Sequence, residues 1–180
     1  MRKIFMALIL MTVFFFNANV AVASEVRLSN RTAEEILNDL IIVGNQLGIS
    51  IWGKEYYTYQ GARRCEVKFG KSDNNAIRFR LNNDNSTQRI LITFYYYNER
   101  QAWDSVVDAL LLAAATMFAI GLSESEMEVL DNKLNSVKDR FYSRYVHEKV
   151  SVWCSATQRY IVLDFEAEPS HMDFYLYAHD

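Results

Sequence analysis

Three histidines, two cysteines and an acidic run near the C-terminus hold most of the reactive side chains of this 180-residue chain. His147, His171 and His179 show neither HExxH nor HxH spacing, and neither cysteine stands beside a histidine in a ligand pattern. No metal site is therefore expected. His171, Asp173, His179 and Asp180 have ligating chemistry, but they lie at the end of the chain. His147 reads as the close of a helix, where a cation meets the negative pole of the helix dipole. No GxSxG elbow is present and no cysteine is set against a histidine, so nucleophilic catalysis has no visible machinery. Asp164, Glu166 and Glu168 alternate along one strand face, which is the residue chemistry of a hydrolase that sets two carboxylates about 5–9 Å apart. A solvated strand face explains the same alternation. Phosphate-cradling glycine loops are absent, and no cofactor is expected.

Cys65 and Cys154 stand in RRCEVKF and VSVWCSA, at the inward positions of alternating patterns. Only one intramolecular pairing exists for two cysteines. A Cys65–Cys154 disulfide is expected; it would close a loop of about 90 residues and contribute about 4–5 kcal/mol. The CxxC spacing of a redox pair is missing.

That expectation rests on the compartment, which the first residues indicate. Arg2 and Lys3 precede an uncharged run, IFMALILMTVFFF, and Ala21-Val22-Ala23 precedes Ser24. Positive start, short apolar stretch and small residues before a cleavage point make the pattern of a secretory signal peptide. The run is short of the roughly 20 residues that span a bilayer. We expect residues 1–23 to be cleaved, residues 24–180 to form the mature domain, and export to the periplasm or the exterior, where disulfides persist. No stable membrane span is expected after cleavage. The whole chain carries a formal charge of −3. That balance argues against nucleic acid, whose binding requires a basic surface.

Binding surfaces are the stronger prospect. Tyr56, Tyr57 and Tyr59 cluster in one strand-like segment, and Tyr95, Tyr96 and Tyr97 form a triplet in another. Tyr95 and Tyr97 share a face, and Arg78 and Arg80 alternate with Ile77 and Phe79. Tyrosine and arginine combine large contact area with a polar handle and are favoured in interface hot spots. The candidate partner surface is Tyr56, Tyr57, Tyr59, Arg78, Arg80, Tyr95 and Tyr97. The reading is a non-catalytic exported binding protein, of the inhibitor or immunity type, that recognises another protein. A small-molecule or lipid carrier with an apolar helix–sheet pocket stands as the second reading, and the small hydrolase as the third.

The elements that position these residues follow from periodicity. Thr32 and Glu35 form a capping box, the apolar residues from Ile36 to Leu47 recur at helical spacing, and Gly48 ends the run. Four alternating segments follow between residues 49 and 97, separated by glycine, asparagine and aspartate clusters, as in antiparallel hairpins. The segment from Glu99 to Leu122 has no charge after Asp108, which predicts a helix buried all round at the domain centre. Ser123 and Glu126 cap a further helix with Met127, Leu130, Leu134, Val137 and Phe141 on one side. Val150–Cys154 and Tyr160–Phe165 read as strands, and His171–His179 as a last extended edge or a loose tail. The order α-β-β-β-β-α-α-β-β predicts a single α+β domain, a mostly antiparallel sheet with helices packed on one face.

Overall fold

The computed structural model describes residues 26–95, 99–137, 145–168 and 170–179, with backbone alone for residues 99–107, 134 and 137. Residues 1–25, which include the expected leader, and Tyr96, Tyr97, Phe141 and Asp180 lie outside the described residues. The chain runs α1 (Ala33–Leu47), β1 (Ile51–Tyr59), β2 (Ala62–Phe69), β3 (Ala76–Leu81), β4 (Thr87–Tyr95), α2 (Glu99–Ala119), α3 (Glu124–Val137), β5 (Val146–Cys154), β6 (Arg159–Ala167) and β7 (His171–His179). The strands form one antiparallel seven-stranded sheet in the order β1-β2-β3-β4-β7-β6-β5. The fold is α+β, with the expected element order.

Each element begins for a local reason. Thr32 accepts from the Glu35 amide while Glu35 accepts from the Thr32 amide, so two donors left over at the start of α1 are satisfied reciprocally. Gly48 ends the helix at φ 73, a left-handed conformation that L side chains resist. Ser123 and Glu126 repeat the capping exchange ahead of α3. Thr32→Ala is expected to lower stability by about 1 kcal/mol, read as a shift in the urea midpoint with unchanged slope.

Alternation then sorts the sheet into two faces. Cys65, Val67, Phe69, Ile77, Phe79, Ile90, Ile92, Phe94, Ile161, Leu163, Phe165, Phe174 and Leu176 point to one side and are buried. Ile36, Leu37, Leu40, Leu112 and Met117 of the helices join the same core. Helix α2 packs on α1 and β4, and α3 packs on β5.

Three expectations are corrected here. First, His171–His179 is neither an edge nor a tail. It pairs along its length with β4 on one side and β6 on the other, and so joins the two halves of the sheet. Second, α2 is not buried all round. Ala109, Leu112, Ala113 and Met117 face the core, whereas Leu111 and Ala114 face outward and Phe118 is 66% exposed. The sheet is the centre of the molecule, and a helix laid on it has one covered side.

Third, Cys65 and Cys154 are buried and unpaired. Cys65 sits on β2 and Cys154 on the outermost strand β5. Five strand spacings of about 4.8 Å separate those strands, far beyond the roughly 7 Å that a disulfide can bridge between Cα atoms. Inward alternation placed both thiols in the core, but alternation says nothing of which strands are neighbours. Intact mass is expected to show two alkylated cysteines after denaturation without reductant. A species two hydrogens lighter, alkylated only after reduction, would restore the crosslink.

Candidate functional site: the open face of the sheet

The sheet face turned away from the helices carries most of the polar side chains of the strands; Glu148, which pairs with Lys133 of α3, is an exception on the helix side. Register aligns them in rows that cross the strands. One row reads Tyr57, Arg64, Arg80, Arg89, Tyr177, Val162 and Ser151, each the direct cross-strand partner of the next. The adjacent row reads Glu55, Glu66, Arg78, Leu91, Tyr175, Asp164 and Lys149. A third runs Lys68, Ala76, Thr93, Asp173, Glu166 and His147.

Charge divides this face. On β2–β4 it is basic, through Arg64, Lys68, Arg78, Arg80 and Arg89, with Glu66 set among them. Glu66 is almost buried and accepts from Lys68, from Arg78 Nε at 2.6 Å and from the Tyr57 hydroxyl at 3.4 Å. Burial pushes its carboxyl pKa up, but the bonds from Lys68 and Arg78 outweigh that and hold it below the ordinary glutamate value. On β6 and β7 the face is acidic. There Asp164 meets His147 Nε2 at 2.8 Å and Lys149 Nζ at 2.9 Å, and these contacts likewise overcome burial to lower its pKa. Asp173 lies beside the Tyr175 hydroxyl at 3.3 Å, and burial with that carboxylate pushes the Tyr175 phenol up to about 12.

Aromatic rings hold the cations in place. The Arg64 guanidinium lies 4.8 Å from the Tyr59 ring centroid, and that of Arg89 lies 5.3 Å from Tyr177. At one corner Trp153 meets Tyr160 edge to face at 5.2 Å, and Tyr160 stacks on His179 at 5.5 Å.

Of the residues singled out in the sequence, Tyr57, Tyr59, Arg78, Arg80 and Tyr95 lie on this face. Tyr95 stands at its margin, stacked on His171 at 5.2 Å. Tyr97 is outside the described residues. Tyr56 is on the other face, where its hydroxyl donates to Glu34 of α1 at 2.8 Å. The reason is a bulge: Trp52 pairs with Lys68 but Glu55 with Glu66, and Gly53 takes φ 66 at the irregularity. One inserted residue reverses the parity of everything after it, so Tyr56 aligns with the inward Cys65. His147 is likewise corrected. It lies in β5 bound to Asp164, and does not close a helix.

Arg64, Arg89, Tyr175, Tyr177, Tyr160 and Trp153 were not singled out from the sequence. Each does occupy the outward side of an alternating strand, and that signal was available. Their assembly into rows depends on pairing between distant segments.

The carboxylates considered for hydrolysis lie on the same open face, with Asp164 tied to two cations and Glu166 3.7 Å from His147. A cleft of about 330 Å³ opens elsewhere, lined by Thr32, Ala33, Glu34, Tyr56, Arg63, Leu81 and Asn85. It contains none of them. Its polar groups already bond one another: Lys54 and Tyr56 hold Glu34, Arg63 donates to Asn85, and Glu35 engages Thr32. Among the described residues no cluster of three or more His, Cys, Asp or Glu is arranged to hold a metal ion. Among the same residues no helix is long and apolar enough to cross a membrane. Compared with known proteins, the chain matches no family model, no curated protein and no solved structure.

Proposed function

We propose that this is an exported, non-catalytic binding protein that docks another protein on the open face of its sheet. The observation that carries this reading is the row Tyr57–Arg64–Arg80–Arg89–Tyr177, which joins five strands on the side opposite the helices. Arg80 and Arg89 in it are exposed. Tyrosine rings on a paired sheet lose little entropy when a partner settles on them, and the rings beside Arg64 and Arg89 restrict those two guanidiniums before binding, which favours association for a modest area. The leader supports export, and the short apolar run supports cleavage over anchoring.

The carrier reading draws less support. The cleft at the start of α1 is open and polar in part, and α2 fills the described space above β4 with Ala109, Leu112 and Met117.

The test is photo-crosslinking in the native host, with a benzophenone amino acid replacing Tyr160 on the sheet face or Phe118 on the helix face. Both side chains are exposed, at 43% and 66%. A discrete protein adduct from Tyr160 and none from Phe118 is expected. Adducts from Phe118 alone, or a lipid retained by the purified protein with no adduct from either site, would overturn the proposal. Intact mass of the exported form is expected to match residues 24–180.

A further inference from the structure

We infer that the Arg64–Arg80–Arg89 row receives the carboxylates of an acidic protein segment, a specification of the partner that rests on the docking role proposed above. The three guanidiniums arise from β2, β3 and β4 as direct cross-strand partners. At about 4.8 Å per strand their Cα atoms span only about 10 Å. Like charges placed directly opposite one another destabilise a sheet, and folding alone gives no reason to align three. Among the described residues no carboxylate forms an ion pair with any of them, although every other cation named on this face has one. Arg64 adds a second sign. Its Nε is buried and has no acceptor among the described residues, so a donor is left over beside the row. Tyr59 and Tyr177 hold the outer two guanidiniums, which leaves exposed Arg80 between them.

Charge complementarity selects the occupant. The row is positive within a chain whose formal charge is −3. It is also short, and the acidic side chains Asp164, Glu166 and Asp173 stand on the next strands of the same face. A long polyanion such as a nucleic acid would run from the arginines onto those carboxylates. Two or three carboxylates projecting from a folded acidic partner fit the row and stop before the repulsion begins. Arginine also matches a carboxylate with two parallel N–H donors, which gives orientation as well as attraction.

The experiment titrates a peptide of six glutamates into the mature protein while arginine Nε–Hε signals are followed by NMR. Signals of Arg64, Arg80 and Arg89 are expected to move together, with Arg78, already bound to Glu66, staying in place. Affinity should weaken clearly between about 50 and 200 mM salt, as screening shortens to within the row. Arg80→Glu and the milder Arg80→Gln should each weaken binding by about tenfold or more, consistent with loss of a charged hydrogen bond. Lys133→Gln on α3 should leave it unchanged, and all three variants should keep the parent melting temperature within a few degrees. No movement of the three signals, equal binding by Arg80→Glu, or tighter binding of tripolyphosphate or oligothymidylate than of the glutamate peptide would each overturn the assignment. The two proposals fail separately. A Tyr160 adduct that survives Arg80→Glu, with no response to the peptide, removes the carboxylate assignment alone. A peptide response without any Tyr160 adduct removes the docking role.

Discussion

Phe174→Ala is expected to cost about 3–5 kcal/mol, and a chain ending at Glu168 is expected not to fold at all. Phe174 is fully buried on β7 and stacks on Phe94 of β4 at 6.1 Å and on Phe165 of β6 at 6.2 Å. It is thus the aromatic bridge between the halves of the sheet. Typical domains have about 5–15 kcal/mol in total, so this one truncation removes a large share. Losing β7 is worse, because it strips the hydrogen-bond partners from β4 and β6 together and leaves two separate sheets with open inner edges. Urea denaturation followed by circular dichroism measures both. Val150→Ala on the edge strand β5, where the side chain is only half-buried, should cost far less. Cooperative unfolding of the truncated chain, or a cost for Phe174→Ala no larger than for Val150→Ala, would show that β7 is not the centre.

Glu66→Gln is expected to lower stability by about 2–3 kcal/mol at neutral pH. Removing the charge leaves Lys68 and Arg78 facing each other around a neutral group that only one of them can satisfy well. Both cations reach water, which keeps the figure below that of a fully buried pair. The pH dependence has a definite sign. The folded carboxyl titrates below the ordinary value of 4.5, so its contribution is fully present above about that pH and is lost as pH falls through the folded pKa. Melting temperatures of the parent and Glu66→Gln should therefore differ most near pH 7 and converge in acid. A gap that stays constant down to pH 2–3, well below the roughly 4.5 of an ordinary glutamate, would assign the loss to packing instead.

Burial, helix ends and strand alternation are local properties, and they were legible one segment at a time. The Thr32–Glu35 box, the Gly48 stop and the inward residues of β2–β4 follow from spacing alone, because a helix repeats every 3.6 residues and a strand every two. Alternation likewise placed Arg78 and Arg80 on the outward side. The misreadings share one cause. Cys65 and Cys154 each point inward, yet inward does not mean adjacent. Tyr56 keeps the parity of Trp52 in the sequence, but a bulge at Gly53 reverses it in space.

The amino-acid order by itself determined the caps of α1 and α3, the order of the elements and the side of β2, β3 and β4 that meets the core, since caps and alternation are set within each segment. Only the tertiary structure decided that the last strand lies at the centre, that the two thiols are five strands apart, and that Arg64, Arg80 and Arg89 stand in line. Those facts depend on hydrogen-bond register between segments far apart in sequence, where the free energy belongs to the pairing and not to either strand.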